Sequence, residues 1–132
     1  METPLNSRAT GTGELILIVD DEDGVRKMLG LCLTKAGYKV LRASNGREAL
    51  TQMQENEGID LVFTDIKMPI MDGMTLIREL NQMHSTVKII VSAGMAGATF
   101  EEELKTMGVR HFLRKPYTPA ALRFSVRKAI DD

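Results

Sequence analysis

Leu15–Gly37 reads LILIVDDEDGVRKMLGLCLTKAG. Its opening run, Leu15–Val19, is unbroken apolar sequence, as suits a strand buried on both faces of a parallel sheet. Asp20, Asp21, Glu22 and Asp23 follow, and then apolar positions at Val25, Met28, Leu29, Cys32 and Ala36. Steps of three and four put these on one helical face. Gly37 stops the helix, since glycine takes up the left-handed backbone that closes a last turn. The stretch is therefore one strand–turn–helix unit with an acidic turn.

The remainder of the chain repeats that unit. Lys39–Ala43 is the second strand, and Ala49, Leu50 and Met53 line the second helix. Asp60–Thr64 is the third strand, ending at Asp65, and Leu76, Ile77 and Leu80 line the third helix. Val87–Val91 is the fourth strand, with Phe100, Leu104 and Met107 on a weaker fourth helix. Val109–Leu113 is the fifth strand. Thr118 caps a final helix with Pro119 at its first position and Leu122, Val126 and Ala129 on its buried side. Strands and helices alternating on short connections demand an α/β fold, a doubly wound five-stranded parallel sheet with helices on both faces. Residues 1–14 are polar and rich in Thr and Gly, and read as a flexible leader or linker before a domain spanning 15–132.

At 132 residues and 43% hydrophobic composition the chain suffices for one core. A formal net charge of −1 lacks the basic excess of a nucleic-acid-binding module. No apolar run approaches the roughly 18 residues of a membrane span, and no signal-peptide segment is present, so no membrane contact and a cytoplasmic location are expected. Cys32, the single cysteine, excludes an intramolecular disulfide and reads as a buried structural thiol. Glu101–Glu103 reads as a solvated face, and Met68, Met71 and Met74 as packing. His84 and His111 stand too far from other ligand types to suggest a transition-metal site.

In doubly wound sheets, ligands bind at the carboxyl ends of the strands. Those ends deliver Asp20 and Asp21, Asp65, Ser92 and Lys115. Three carboxylates brought together repel one another and call for a cation. Oxygen ligands alone favour a hard ion, Mg2+, with Mn2+ able to substitute. Carboxylate, ammonium, hydroxyl and such an ion together suit phosphoryl transfer to a carboxylate.

Four blocks, ILIVDDE at Ile16–Glu22, DLVFTDIKMPIMDG at Asp60–Gly73, VSAG at Val91–Gly94 and HFLRKPY at His111–Tyr117, resemble the signatures of two-component response-regulator receiver domains, from Leu15 to about Ile130. The resemblance implies a (βα)5 flavodoxin-like fold with strand order 2-1-3-4-5. It implies that Asp65 is the phosphoacceptor, that Ser92 and Lys115 contact the phosphoryl group, and that Ser92 and Phe112 form the switch. The metal would be held by Asp20, Asp21, Asp65 and the Lys67 backbone carbonyl, and Lys115–Pro116 would be a cis peptide. The domain would be a switch with self-catalysed phosphotransfer and dephosphorylation rather than an enzyme with a separate substrate. The partner would be a histidine kinase or a histidine phosphotransfer domain, and the switched face the fourth helix, fifth strand and fifth helix. Arg110 and His111 stand where the dimers of DNA-binding receivers need acidic residues, so a monomeric or weakly associating chain is expected.

Stand-alone regulators and the C-terminal receivers of hybrid histidine kinases both match, the leader and the HFLRKPYT block resembling the latter slightly more. Two other readings share parts of this pattern. A flavodoxin-like FMN carrier needs a Ser/Thr/Gly-rich phosphate loop where this chain has Asp20 and Asp21. A haloacid-dehalogenase-like phosphatase needs a D-x-D motif, which DDE is not.

Overall fold

The computed structural model describes residues 10–66, 71–83, 85–94 and 100–132. Lys67, Met68, Pro69, His84 and most of the leader lie outside them. Strands β1 (Leu15–Val19), β2 (Lys39–Ala43), β3 (Ile59–Asp65), β4 (Lys88–Ala93) and β5 (His111–Arg114) form one parallel sheet in the order β2-β1-β3-β4-β5. The helices among the described residues are α1 (Asp23–Lys35), α2 (Gly46–Glu55), α3 (Gly73–Gln82), α4 (Glu101–Thr106) and α5 (Pro119–Asp131). The expected α/β architecture and strand order are thus found.

Side chains alternate across each strand, and β1 shows what this builds. Ile16 and Ile18 join Leu29 and Leu33 of α1 and Leu122 and Val126 of α5 in one core cluster. Leu17 and Val19 join Ala49 of α2 and Leu76 and Leu80 of α3 in another. A third, with Ile77, Val91 and Leu104, lies under α3 and α4. Each fully buried aliphatic side chain contributes roughly 1.5–3 kcal/mol, so β1 anchors both layers. Local chemistry sets the helix starts. Asn45, Asp72 and Thr118 each accept a backbone N–H from the first turn, at 2.9, 2.9 and 3.0 Å.

Several expected boundaries shift, each for a local reason. Val109 is buried but precedes β5, because its N–H closes α4 on the Leu104 carbonyl at 3.0 Å, with Gly108 at φ +92°. Val87 precedes β4, its N–H turned to Ser85 Oγ at 3.1 Å, and the strand runs on through Ser92 to Ala93. Met28 faces solvent at 58% exposure. The buried stripe of α1 runs instead through Leu29 and Leu33, flanked by Val25, Cys32 and Ala36. Cys32 is only half-buried. Glu101 is not fully solvated but pairs with Arg114 at 3.2 Å.

Residues 10–14 are tied to the domain. Gly11 and Gly13 donate to the carbonyls of Ala36 and Gly37 at 2.6 and 2.9 Å, and Lys39 donates to that of Glu14 at 2.9 Å. Gly37, at φ +101°, has the Gly11 carbonyl where a β-carbon would stand. Arg127 of α5 bonds the Thr10 carbonyl at 3.2 Å, Glu14 at 2.9 Å and Asp131 at 2.8 Å, and lies over the Tyr38 ring.

Candidate functional site

Strand order reverses between β1 and β3, which in a doubly wound sheet marks a crevice at the carboxyl ends. The backbone ladder carries each candidate residue into it. Asp20 follows β1 with its N–H still bonded to the Ala43 carbonyl at 3.1 Å. Asp65 ends β3 directly opposite Ser92 of β4. Lys115 follows β5 with its N–H on the Ala93 carbonyl at 3.0 Å, and the Lys115–Pro116 peptide is cis.

The side chains converge as their positions imply. Lys115 Nζ donates to Asp65 Oδ2 at 2.9 Å, and the Ile66 N–H donates to Asp65 Oδ1 at 2.7 Å. One carboxylate oxygen from each of Asp20, Asp21 and Asp65 lies within 4.8 Å of the others. Asp20 is buried at 4% exposure and accepts the Glu22 N–H at 2.9 Å. Arg26 pins the acidic turn to α1, donating to the Asp20 carbonyl at 2.7 Å and pairing with Asp23.

The electrostatics match a site short of one cation. Burial, joined by the charges of Asp65 and Asp21, raises the Asp20 carboxyl above its ordinary pKa, against the Glu22 N–H and Lys115. Burial would lower Lys115, but its bond to Asp65 and the charges of Asp65 and Asp20 outweigh this and raise it. The lysine neutralises only part of the cluster. Three converging oxygen donors therefore fit a small hard divalent ion.

Ser92 is 1% exposed, and its Oγ has no hydrogen-bond partner among the described residues. Phe112 is half-buried against the cluster of Ile66, Ile77, Val91 and Leu104. Met71 and Met74 pack against the core.

Two residues gain a part here that sequence reading did not assign them. Gly73 donates its N–H to the Ile66 carbonyl at 2.8 Å, and a β-carbon there would lie 2.5 Å from the Asp65 carbonyl oxygen. Tyr117 packs edge-on against Phe63, ring centroids 6.2 Å apart, and its hydroxyl stands beside Ser92. Burial raises that hydroxyl's pKa, while Lys115 and Ser92 pull the other way. The sequence signal for Tyr117 was its place two residues after Lys115, but nothing local showed that it turns inward.

Comparison with known proteins bears on the whole arrangement. The family profile described as response regulator receiver domain matches residues 16–127. The chain is 38% identical over 117 residues to chemotaxis protein CheY of Thermotoga maritima, covering 88% of this chain and 97% of that one. It is 38% identical over 130 residues, 98% of its length, to the sensor kinase CckA of Brucella abortus, of which it spans only 13%. A solved receiver-domain structure from Clostridium thermocellum superposes with a TM-score of 0.84 at 32% identity, covering 89% of this chain and 94% of that one.

Proposed function

The chain belongs to the response regulator receiver family, and from that membership we propose that Asp65 is its phosphoacceptor, working with Ser92, Lys115 and a divalent cation. The domain is a receiver of two-component phosphorelay signalling; the phosphatase and flavin-carrier readings are not favoured. The observation that carries the assignment is convergence. Among the described residues Asp65 alone combines the Lys115 ammonium at 2.9 Å, a register position opposite Ser92 and membership of the three-carboxylate group.

In the proposed transfer, an Asp65 carboxylate oxygen attacks phosphorus in line and forms the new P–O bond. The bond from phosphorus to the donor imidazole nitrogen breaks, its electron pair staying on the nitrogen. Lys115 passes from the carboxylate to a phosphoryl oxygen, and Ser92 donates its hydroxyl proton as a hydrogen bond to another. Mg2+, held by Asp20, Asp21, Asp65 and the Lys67 carbonyl, would supply the remaining neutralisation of phosphoryl charge. The donor is a phosphohistidine on a histidine kinase or phosphotransfer domain, and the chain acts in the cytoplasm as a monomeric or weakly associating unit. Ser92 and Phe112 relay the state of Asp65 to the face built by α4, β5 and α5. Among the described residues no helix is long and apolar enough to cross a membrane.

Incubation with acetyl phosphate and Mg2+, followed by intact-mass measurement, tests the assignment. One added phosphoryl group is expected in the parent, and none without Mg2+ or in Asp65→Asn. Equal labelling of that variant would refute it.

A further inference from the structure

The hydroxyl of Ser92 is buried without a hydrogen-bond partner among the described residues. The Tyr117 hydroxyl stands beside it, yet no bond of full geometry joins the two. The tyrosine ring is fixed from behind by its edge-on contact with Phe63 and its place against the core cluster that includes Leu122. Its hydroxyl is thereby held at the edge of the crevice, near enough to feel the charges of Lys115, Asp20 and Asp65.

Hydrogen-bond inventory then restricts what each hydroxyl can do. A serine hydroxyl has one proton and two lone pairs, whereas the oxygens of a phosphoryl dianion only accept. Facing such an oxygen, Ser92 must direct its single proton there, and can only accept from any other neighbour. A phenol, protonated at neutral pH, is a suitable donor.

We propose that Tyr117 is a positioning residue, donating to Ser92 Oγ and so directing the serine's proton onto the phosphoryl group of Asp65. The proposal rests on the phosphoacceptor reading and adds a residue to it. With the phosphoryl group present the serine's proton is committed to it and its lone pair is free to accept, so donation from Tyr117 favours the loaded state over the empty one. The two hydrogen bonds run in series, and each polarises the other.

Tyr117→Phe keeps the ring against Phe63 and removes only the oxygen. The probe is beryllofluoride with Mg2+, titrated by calorimetry and observed by fluorine NMR. Tyr117→Phe should bind it about three- to tenfold more weakly than the parent. In a Ser92→Ala background the same substitution should change nothing. Unchanged affinity in the single variant overturns the proposal, as does an equal loss in both backgrounds, which would mark a packing effect of the ring. Failure of the parent itself to bind the probe would overturn the phosphoacceptor reading, and this proposal with it.

Discussion

Asp20 is 4% exposed and shares its crevice with two other carboxylates. Its raised pKa means that ionisation weakens the metal-free fold as pH climbs through that value. Asp20→Asn should therefore stabilise the metal-free domain, since it removes a carboxylate disfavoured by burial and by its two neighbours. The same variant should gain less from added Mg2+ than the parent does. Thermal unfolding with and without the ion measures both effects, and a destabilised metal-free variant would contradict the argument. Gly94 beside Ser92 bears on signal lifetime. A β-carbon there meets no atom of the described residues within 4 Å, and a phosphoryl lifetime of minutes is expected. Gly94→Arg should slow decay severalfold without harming the fold, as phosphate release after donor removal would show. The convergence of Asp20, Asp21, Asp65, Ser92 and Lys115 was legible in the sequence, because apolar runs locate strand ends and parallel strands bring those ends to one edge. Tyr117 was not, because its position depends on Phe63 of β3, a contact no local pattern records.

The start of α3 is built against the end of β3. At Gly73 a β-carbon would meet the Asp65 carbonyl oxygen at 2.5 Å and Ile66 Cα at 2.9 Å, both backbone atoms that cannot swing aside. Gly73→Ala should cost about 2 kcal/mol in urea unfolding and slow phosphorylation by displacing the acceptor. Gly24 in the first turn of α1 makes the contrast, since a β-carbon there meets no atom of the described residues within 4 Å. Gly24→Ala should stabilise by about 0.5 kcal/mol and leave phosphorylation unchanged. Element identity was readable throughout from the periods of the apolar residues. The exact faces and ends were less so. Met28 and Leu33 both fit a helical stripe by spacing, and only the docking of α1 onto the core it shares with β1, β3 and α5 decides that Leu33 is covered. The onset of β5 was misplaced because Val109 looks like strand but serves to close α4.

Across the whole domain, the βα alternation made the fold class legible, while the docking of residues 10–14 was hidden. Thr and Gly there compose a segment that reads as loose, and its restraint comes from Gly37 and Arg127, distant in sequence. Glu14 reports that restraint. Burial alone would raise its carboxyl pKa, but the backbone N–H groups of Thr12 and Glu14 itself, together with Arg127, bring it down to about 2 from 4.5. A depressed carboxylate contributes stability that is fully present above pH 4.5 and is lost as pH falls towards 2. Glu14→Gln should be less stable at neutral pH and should lose less between those limits, as urea unfolding across a pH series would show. A parallel loss in both proteins would place the acid sensitivity elsewhere. The contacts of Arg127 with Thr10, Glu14 and Asp131 have a mechanical side as well. A tug on the polypeptide ahead of Thr10 is taken up by the last turns of α5, at the end of the sheet remote from Asp65, so the crevice is sheltered from that pull.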